Sequence, residues 1–423
     1  FDAASFGEHS AAVRGMQQQV LDWLDEFESG AECSHRLEAV SNAVQQDPAA
    51  LATLVREGGL SHLVALSLEA KESASAAVAT ILVVASEEYA QELVEANALT
   101  VIVGLVNTEE NQEDAAWALG NLSAHADIAD AMITCGALRA CMSVLTEPQT
   151  HLARCFVAST LANLAVDVRG KPAIGEMGGV EALLQVLPDA DLDAGAQITR
   201  CLANLLLDDA CRSRVVAHEG GLRLLLQQVA STDEAVQESA VRAIANVAFD
   251  PEQAQVVFAA GAVASVVGLL SSSSVRVQLQ ALCALRNLTA DAPAAGEAVT
   301  HGAIPQLVTL MGSESQQVQV QAVWVVGALA LHEEANLKLV SAGVLPQLEA
   351  LKYSPDTEAR DAAGQALGNL ARVLTPNSRR IVELDTVQLD RAGRAGGRRR
   401  QSPLARAASA TSVVWTSPLD GES

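Results

Sequence analysis

One short phrase recurs along the whole chain with small changes: WALGNL, STLANL, RCLANL, RAIANV, CALRNL and QALGNL. Its asparagine falls at Asn121, Asn163, Asn204, Asn246, Asn287 and Asn369, and the equivalent slot holds Ala328 in WVVGAL, Val83 in TILVVA and Asn42 in AVSNAV. Successive slots step by 41, 38, 42, 41, 42, 41, 41 and 41 along the chain, which makes nine units over residues 31–385. A repeat of this length is one supersecondary unit that hides its apolar face only against its neighbours. A globule around one central core is therefore excluded for most of the chain.

The inner anatomy of each unit follows from a second phrase whose second residue lies 24 to 27 places before each slot: EGGL, ANAL, CGAL, MGGV, EGGL, AGAV, HGAI and AGVL, beginning at 57, 96, 135, 177, 219, 260, 301 and 342. Glycine here ends one helix and lets the next start at a sharp angle. Pro305 and Pro346, three places beyond that glycine, suit a first helical turn and no interior. The loops STDEAV, SSSSVRV and SESQQVQV then offer Ser, Thr or Asp as N-caps. In the segment that follows, Val236, Ala240, Ile244 and Val247 recur at helical spacing. Each unit thus reads as a short helix, a glycine turn, a helix of about ten residues, a polar loop and a longer third helix that ends near the Asn.

The period near 42, the glycine turn, the G-A-I-P-x-L-V-x-L opening of the second helix and the A-L-x-N-L close of the third resemble the armadillo repeat. The related two-helix HEAT repeat lacks the Asn-tipped third helix. The resemblance is nearest in style to vacuolar and plant armadillo-repeat-only proteins, with importin α and β-catenin more distant. It implies an all-α, right-handed superhelix of about nine three-helix units. It also implies a concave groove lined by the third helices, where Asn amides bond the backbone of an extended peptide. A Trp four residues before the Asn walls the alkyl stems of Lys and Arg in importin α.

Residues 1–30, with the amphipathic MQQQVLDWLDEF, are expected to cap the array, because an open solenoid end needs a polar outer face. Residues 386–423 carry six Arg against three acids, +3 in all, and read as a disordered basic tail. Residues 1–385 then hold −27 against the net −24. That balance disfavours phosphate backbones and anionic lipid, so direct nucleic-acid binding is not expected. A membrane is expected only through an anchor or a partner. The most apolar stretch, residues 256–270, is too short to span a bilayer and reads as core. The seven cysteines include no C-x-x-C pair, and a reducing compartment, cytoplasmic and also nuclear, is the expectation. The chain begins at Phe1 rather than Met, so a processed, trimmed or incomplete start is expected, and targeting is left open.

Enzyme signatures fail on inspection, and no catalytic residue, cofactor or metal is expected. HEEAN at 332–336 ends in Asn336 where a zinc helix needs His. DADLDAG at 189–195 has its Gly one place late for a calcium loop, with Arg200 where the closing Glu belongs. His151 and Cys155 lie one turn apart, yet two ligands make no zinc site. The sequons at Asn121 and Asn287 fall on the repeat register and are read as part of it. In the tail, Ser402 before Pro403 and Ser409 after Arg406 match phosphorylation patterns; added phosphate would weaken any contact of the basic tail with the acidic array.

What remains is the stripe shared by the third helices, since residues four apart lie on one helical face. Trp117 with Asn121 matches W-x-x-x-N once; the other slots four before are Ser159, Arg200, Arg242, Cys283, Trp324 and Gln365. Four after the Asn stand His125, Asp167, Asp208, Asp250, Asp291, His332 and Val373. The Asp residues read chiefly as N-caps of the next helix, as in Asp250-Pro251. For the Asn residues, peptide binding and a tie between helix backbones stand level. The expected groove residues are Trp117, Asn121, Asn163, Arg200, Asn204, Arg242, Asn246, Asn287, Trp324 and Asn369. Arg200 and Arg242 would repel Lys-rich peptides and pair with carboxylates or a phosphate.

The expected function is a non-catalytic scaffold or adaptor that holds extended segments of other proteins, with no small-molecule substrate. Alternatives are an importin-α-like receptor for basic signals, or the armadillo part of a U-box ubiquitin ligase whose catalytic-adaptor domain precedes Phe1.

Overall fold

The computed structural model describes residues 3–28, 36–68 and 88–373, with the single positions 82, 84 and 86. The tail, with Ser402 and Ser409, lies outside the described residues, as does Val83. Regular structure among the described residues is helical throughout. The chain forms two compact units, Phe1–Ala260 and Gly261–Ser423.

In the N-terminal unit, the helix Ala3–Glu28 packs on the helices Leu37–Gln46 and Pro48–Arg56. Val20, Trp23 and Leu24 are buried in that contact. The Phe27 ring stacks on His62 at 4.3 Å between centroids. Beyond it, the repeats run in threes. Ala129–Thr134, Ala137–Thr146 and His151–Leu164 are the three helices of one unit, and the first two meet at 80°.

The positive-φ residues explain those turns. Gly58, Gly136, Gly178 and Gly220 have φ between 78° and 94°, and Asn97 holds the same slot at φ 58°. A left-handed residue ends a helix at once, and only Gly, or less readily Asn, adopts it cheaply. Three of the long helices then open on a cap: the side chains of Thr150, Asp191 and Asp233 accept from Ala153 N, Ala194 N and Val236 N at 2.8 to 3.0 Å, whereas Asn111 before Gln112–Ser123 makes no such bond. The DADLDAG acids are therefore helix-capping in part, through Asp191.

Four third helices described in this unit are Gln112–Ser123, His151–Leu164, Leu192–Leu205 and Glu234–Val247, which pack one on the next in that order. Small residues let them approach: a Cβ on Gly120 would lie 3.9 Å from the Phe156 carbonyl. Val236, Ala240, Ile244 and Val247 are all buried, as their spacing predicts.

The C-terminal unit repeats the plan. Its third helices are Val275–Leu288, Gln316–Leu329 and Thr357–Val373, and its turns carry Gly261, Gly302 and Gly343 at φ 80° to 82°. Gly327 sits 3.5 Å, by a notional Cβ, from Ala366. Gly261 also breaks the apolar stretch 256–270, between the helices Pro251–Ala259 and Ala262–Leu269. No single helix among the described residues is long and apolar enough to cross a membrane.

The third-helix stripe as the candidate binding site

An α-helix leaves its last four carbonyls without intrahelical partners. In His151–Leu164, turn amides after the helix serve three of them: Ala165 N donates to Leu161 O, Val166 N to Asn163 O and Asp167 N to Leu164 O. The fourth, Ala162 O, receives the Asn204 side-chain amide from the next repeat at 2.8 Å. The pattern recurs where Asn246 Nδ2 donates to Ala203 O at 2.9 Å and, in the C-terminal unit, where Asn369 Nδ2 donates to Gly327 O at 2.8 Å. One repeat earlier a hydroxyl intervenes. Asn163 Nδ2 donates to Ser123 Oγ at 2.9 Å, and Ser123 Oγ donates to Gly120 O at 2.7 Å.

The recurring Asn is thus the amide that closes the end of the preceding third helix. Asn204 and Asn369, which are 6% and 7% exposed, are the most buried of these amides. Asn121, Asn163, Asn246 and Asn287 remain half-exposed along the stripe. The register also shifts at one position. Ser86 Oγ accepts from Asn121 at 3.2 Å, as Ser123 accepts from Asn163, so the slot before Asn121 is Val84 rather than Val83.

Four residues before the slots, Trp117, Ser159, Arg200 and Arg242 are all half-buried and occupy the N-terminal unit; Cys283 and Trp324, also half-buried, and exposed Gln365 occupy the C-terminal one. Trp117 is not fully buried. The two arginines differ. Arg200 NH1 donates to Asn163 Oδ1 at 2.9 Å, NH2 reaches Ser159 Oγ at 3.3 Å, and Nε and NH2 share Gln197 Oε1 at 2.9 and 2.8 Å. Arg242 donates no hydrogen bond among the described residues. Burial lowers the pKa of both guanidinium groups; at Arg242 the Glu238 carboxylate pulls the other way and the Arg200 charge adds to the lowering. In the C-terminal unit Arg286 NH1 donates to Gln321 Oε1 at 3.2 Å, beside Cys283.

Beyond the Asn, two of the four Asp residues, Asp208 and Asp250, are N-caps of the next helix. Asp208 accepts from Cys211 N, Asp250 from Glu252 N and Gln253 N, and Asp167 from Arg169 N, whereas Asp291 makes no side-chain cap. His332 replaces the cap with a bond from its ring Nε2 to Thr289 O at 2.8 Å. Asn336, which spoils the zinc pattern, is fully buried and donates to Ala330 O and Leu370 O. Arg212 plays the same part for Leu206 O and Leu207 O, with its guanidinium 6.0 Å beneath the Phe249 ring. Three residues after the Asn, Val166, Leu207 and Phe249 are exposed just past the ends of successive third helices of the N-terminal unit.

Three of these partners were not singled out in the sequence: Ser123, Gln197 and Arg212. Only the first had a legible signal, as a hydroxyl two places after an Asn slot. Among the described residues no cluster of three His, Cys, Asp or Glu is placed to hold a metal ion. His151 is exposed, with Nδ1 3.8 Å from Asp191, and Cys155 is half-buried, its pKa raised by burial.

Comparison with known proteins fits this geometry. The profile of the armadillo/beta-catenin-like repeat matches residues 86–124, 208–249, 250–290 and 293–330, and that of a HEAT-like repeat matches 316–370. Vacuolar protein 8 of Schizosaccharomyces pombe (strain 972 / ATCC 24843) is 28% identical over 179 residues, which is 42% of this chain and 32% of that protein. The match thus spans about a third of that curated relative. An engineered protein of known structure covers 85% of this chain and 94% of its own length at 26% identity and a TM-score of 0.74. A designed armadillo repeat protein in complex with the peptide (KR)4 covers 55% of this chain and 99% of its own length, at 27% identity and a TM-score of 0.51. Period, turn geometry, amide-closed third helices and these likenesses agree: the chain is an armadillo-repeat protein.

Proposed function

We propose that the chain is a non-catalytic scaffold that binds extended segments of other proteins along the third-helix stripes of its two units. The observation that carries this reading is the row of half-buried, chemically varied side chains Trp117, Ser159, Arg200 and Arg242 at one slot of successive helices. A core would fill that slot with aliphatics, and a plain solvent face would leave it exposed. The designed armadillo protein bound to (KR)4 supports peptide binding on such a fold. Its basic ligand does not transfer, because two adjacent arginines disfavour a Lys- and Arg-rich segment in the N-terminal unit. For the same reason we favour a scaffold over an import receptor, and the cytoplasm as its compartment.

The test is binding of the full chain to a degenerate pool of fluorescein-labelled twelve-residue peptides, read by anisotropy. Trp117→Ala and Asn121→Ala should weaken binding. Glu334→Gln with Lys338→Gln, an exposed pair on a first helix, should leave it unchanged. Binding that ignores the first two and follows the last would move the site off the stripe and refute the proposal.

A further inference from the structure

Arg200 and Arg242 hold the same slot on neighbouring third helices, yet among the described residues only Arg200 donates hydrogen bonds; Arg242 has the Glu238 charge on its own helix. The reason lies in what the preceding helix presents. Arg200 reaches back to Ser159 and Asn163, the two stripe residues of the helix before it, and sideways to Gln197 on its own helix. For Arg242 the corresponding positions are Arg200, a like charge, and Asn204, which is buried with its amide on Ala162 O. The residue three before Arg242 is Ser239, itself buried, where Arg200 has Gln197. A chain that latches one arginine thereby removes the acceptors the next would need.

We propose that Arg242 reads one acidic side chain, a carboxylate or a phosphate, on an extended protein segment lying along the stripe of the N-terminal unit. This rests on the groove reading above and names the chemistry of its ligand. A half-buried guanidinium that donates no hydrogen bond among the described residues carries a desolvation cost that a bidentate anion relieves by charge-assisted bonds. Arg200, held in place alongside, adds its charge to the same spot without moving. Glu238, one turn before Arg242 on the same helix, is the acid that competes for it. The next acids along the helix ends, Asp208 and Asp250, are engaged as caps. The large negative charge of the whole chain does not forbid an acidic ligand, because at physiological salt charges beyond roughly 8 Å are screened. The exposed Leu207 and Phe249 at the helix ends would favour an apolar residue elsewhere on the same segment.

The test uses the full chain and four pools of acetylated twelve-residue peptides, degenerate except for a central Glu, phosphoserine, Ser or Lys. The Glu or phosphoserine pool should bind about tenfold more tightly than the Ser pool, and the Lys pool most weakly, as expected for one charge-assisted contact. Whichever acidic pool leads identifies carboxylate or phosphate as the natural source. Arg242→Gln should erase the preference while leaving the Ser pool bound, and Glu238→Gln should sharpen it. A match of the helical circular dichroism and melting of both variants to the parent keeps the comparison clean; Arg242→Lys, which retains charge but loses the fork, should keep part of the preference. If the pools bind without acidic preference, or the preference survives Arg242→Gln, this inference is overturned and the groove reading stands. If no pool binds at all, both fall.

Discussion

Replacing Asn204 with Ala should loosen the seam between two third helices by an amount the structure sets. The amide donates to Ala162 O at 2.8 Å, and Asn204 is 6% exposed, so water cannot readily take its place. The net worth of such a bond is about 1 kcal/mol, and leaving the carbonyl buried without a donor adds about 1 kcal/mol or more. A loss of about 2 kcal/mol raises the open population roughly 30-fold. Hydrogen exchange followed by mass spectrometry, in the regime where exchange follows the opening equilibrium, reads this directly in fragments covering residues 158–168. There Val166 N and Asp167 N bond to the end of the same helix at 3.1 and 3.2 Å. Asn204→Leu, similar in volume, should lose as much, which separates the hydrogen bond from cavity formation. At Asn121 the partner is a rotatable Ser86 hydroxyl at 3.2 Å and the site is half-exposed. Asn121→Ala should therefore lose about 1 kcal/mol or less. Equal effects at Asn204 and Asn121, or exchange at residues 158–168 unchanged by Asn204→Ala, would refute the assignment of Asn204 as the closing amide.

Gly302 has φ 82° although the space around it is open. Gly302→Ala should therefore destabilise by about 1 kcal/mol, while Gly302→Asn should lose less, as Asn97 already occupies the equivalent turn; urea unfolding measures both. Asp208→Ala and Asp250→Ala should each cost about 1 kcal/mol in thermal melts and Asp291→Ala clearly less, because only the first two accept a capping bond. The Asp167 carboxyl is held below its ordinary range by the Arg169 backbone amide, so its stabilisation is complete above the unfolded carboxylate range and is lost as pH falls through the lowered folded value. Asp167→Asn should therefore flatten the acid limb of a stability profile between neutral pH and about 3. Burial raises the Cys141 and Cys201 thiols to about 12. Iodoacetamide at about pH 8 should then label half-buried Cys135 and Cys155 first and reach Cys141 and Cys201 only on unfolding; prompt labelling of Cys201 in the native chain would contradict its burial.

Much of the fold was legible because its determinants are local. A positive φ at Gly136 or Gly261, a capping Asp before Val236 and apolar spacing along 236–247 act within a few residues, and all appear where the pattern puts them. The candidate site was legible only as a set of positions. The Asn slots were found, yet which of them are buried, as Asn204 and Asn369 are, and which stay half-exposed was not. The slot at Val84 shows why. Its identity follows from Ser86 meeting Asn121 across 35 residues, a contact that carries no mark in the phrase TILVVA.

The sequence by itself determined the architecture: the period, the order of helices in each repeat and the glycine that turns them, since each depends on backbone propensity and spacing along the chain. The tertiary structure decided which polar groups are engaged by hydrogen bonds and which are not. Arg200 and Arg242 are indistinguishable as letters at one slot. They part because a hydrogen bond needs a partner within about 3 Å. For Arg200 that partner comes from the preceding repeat, as Asn163 and Ser159, far away along the chain and adjacent only in the fold.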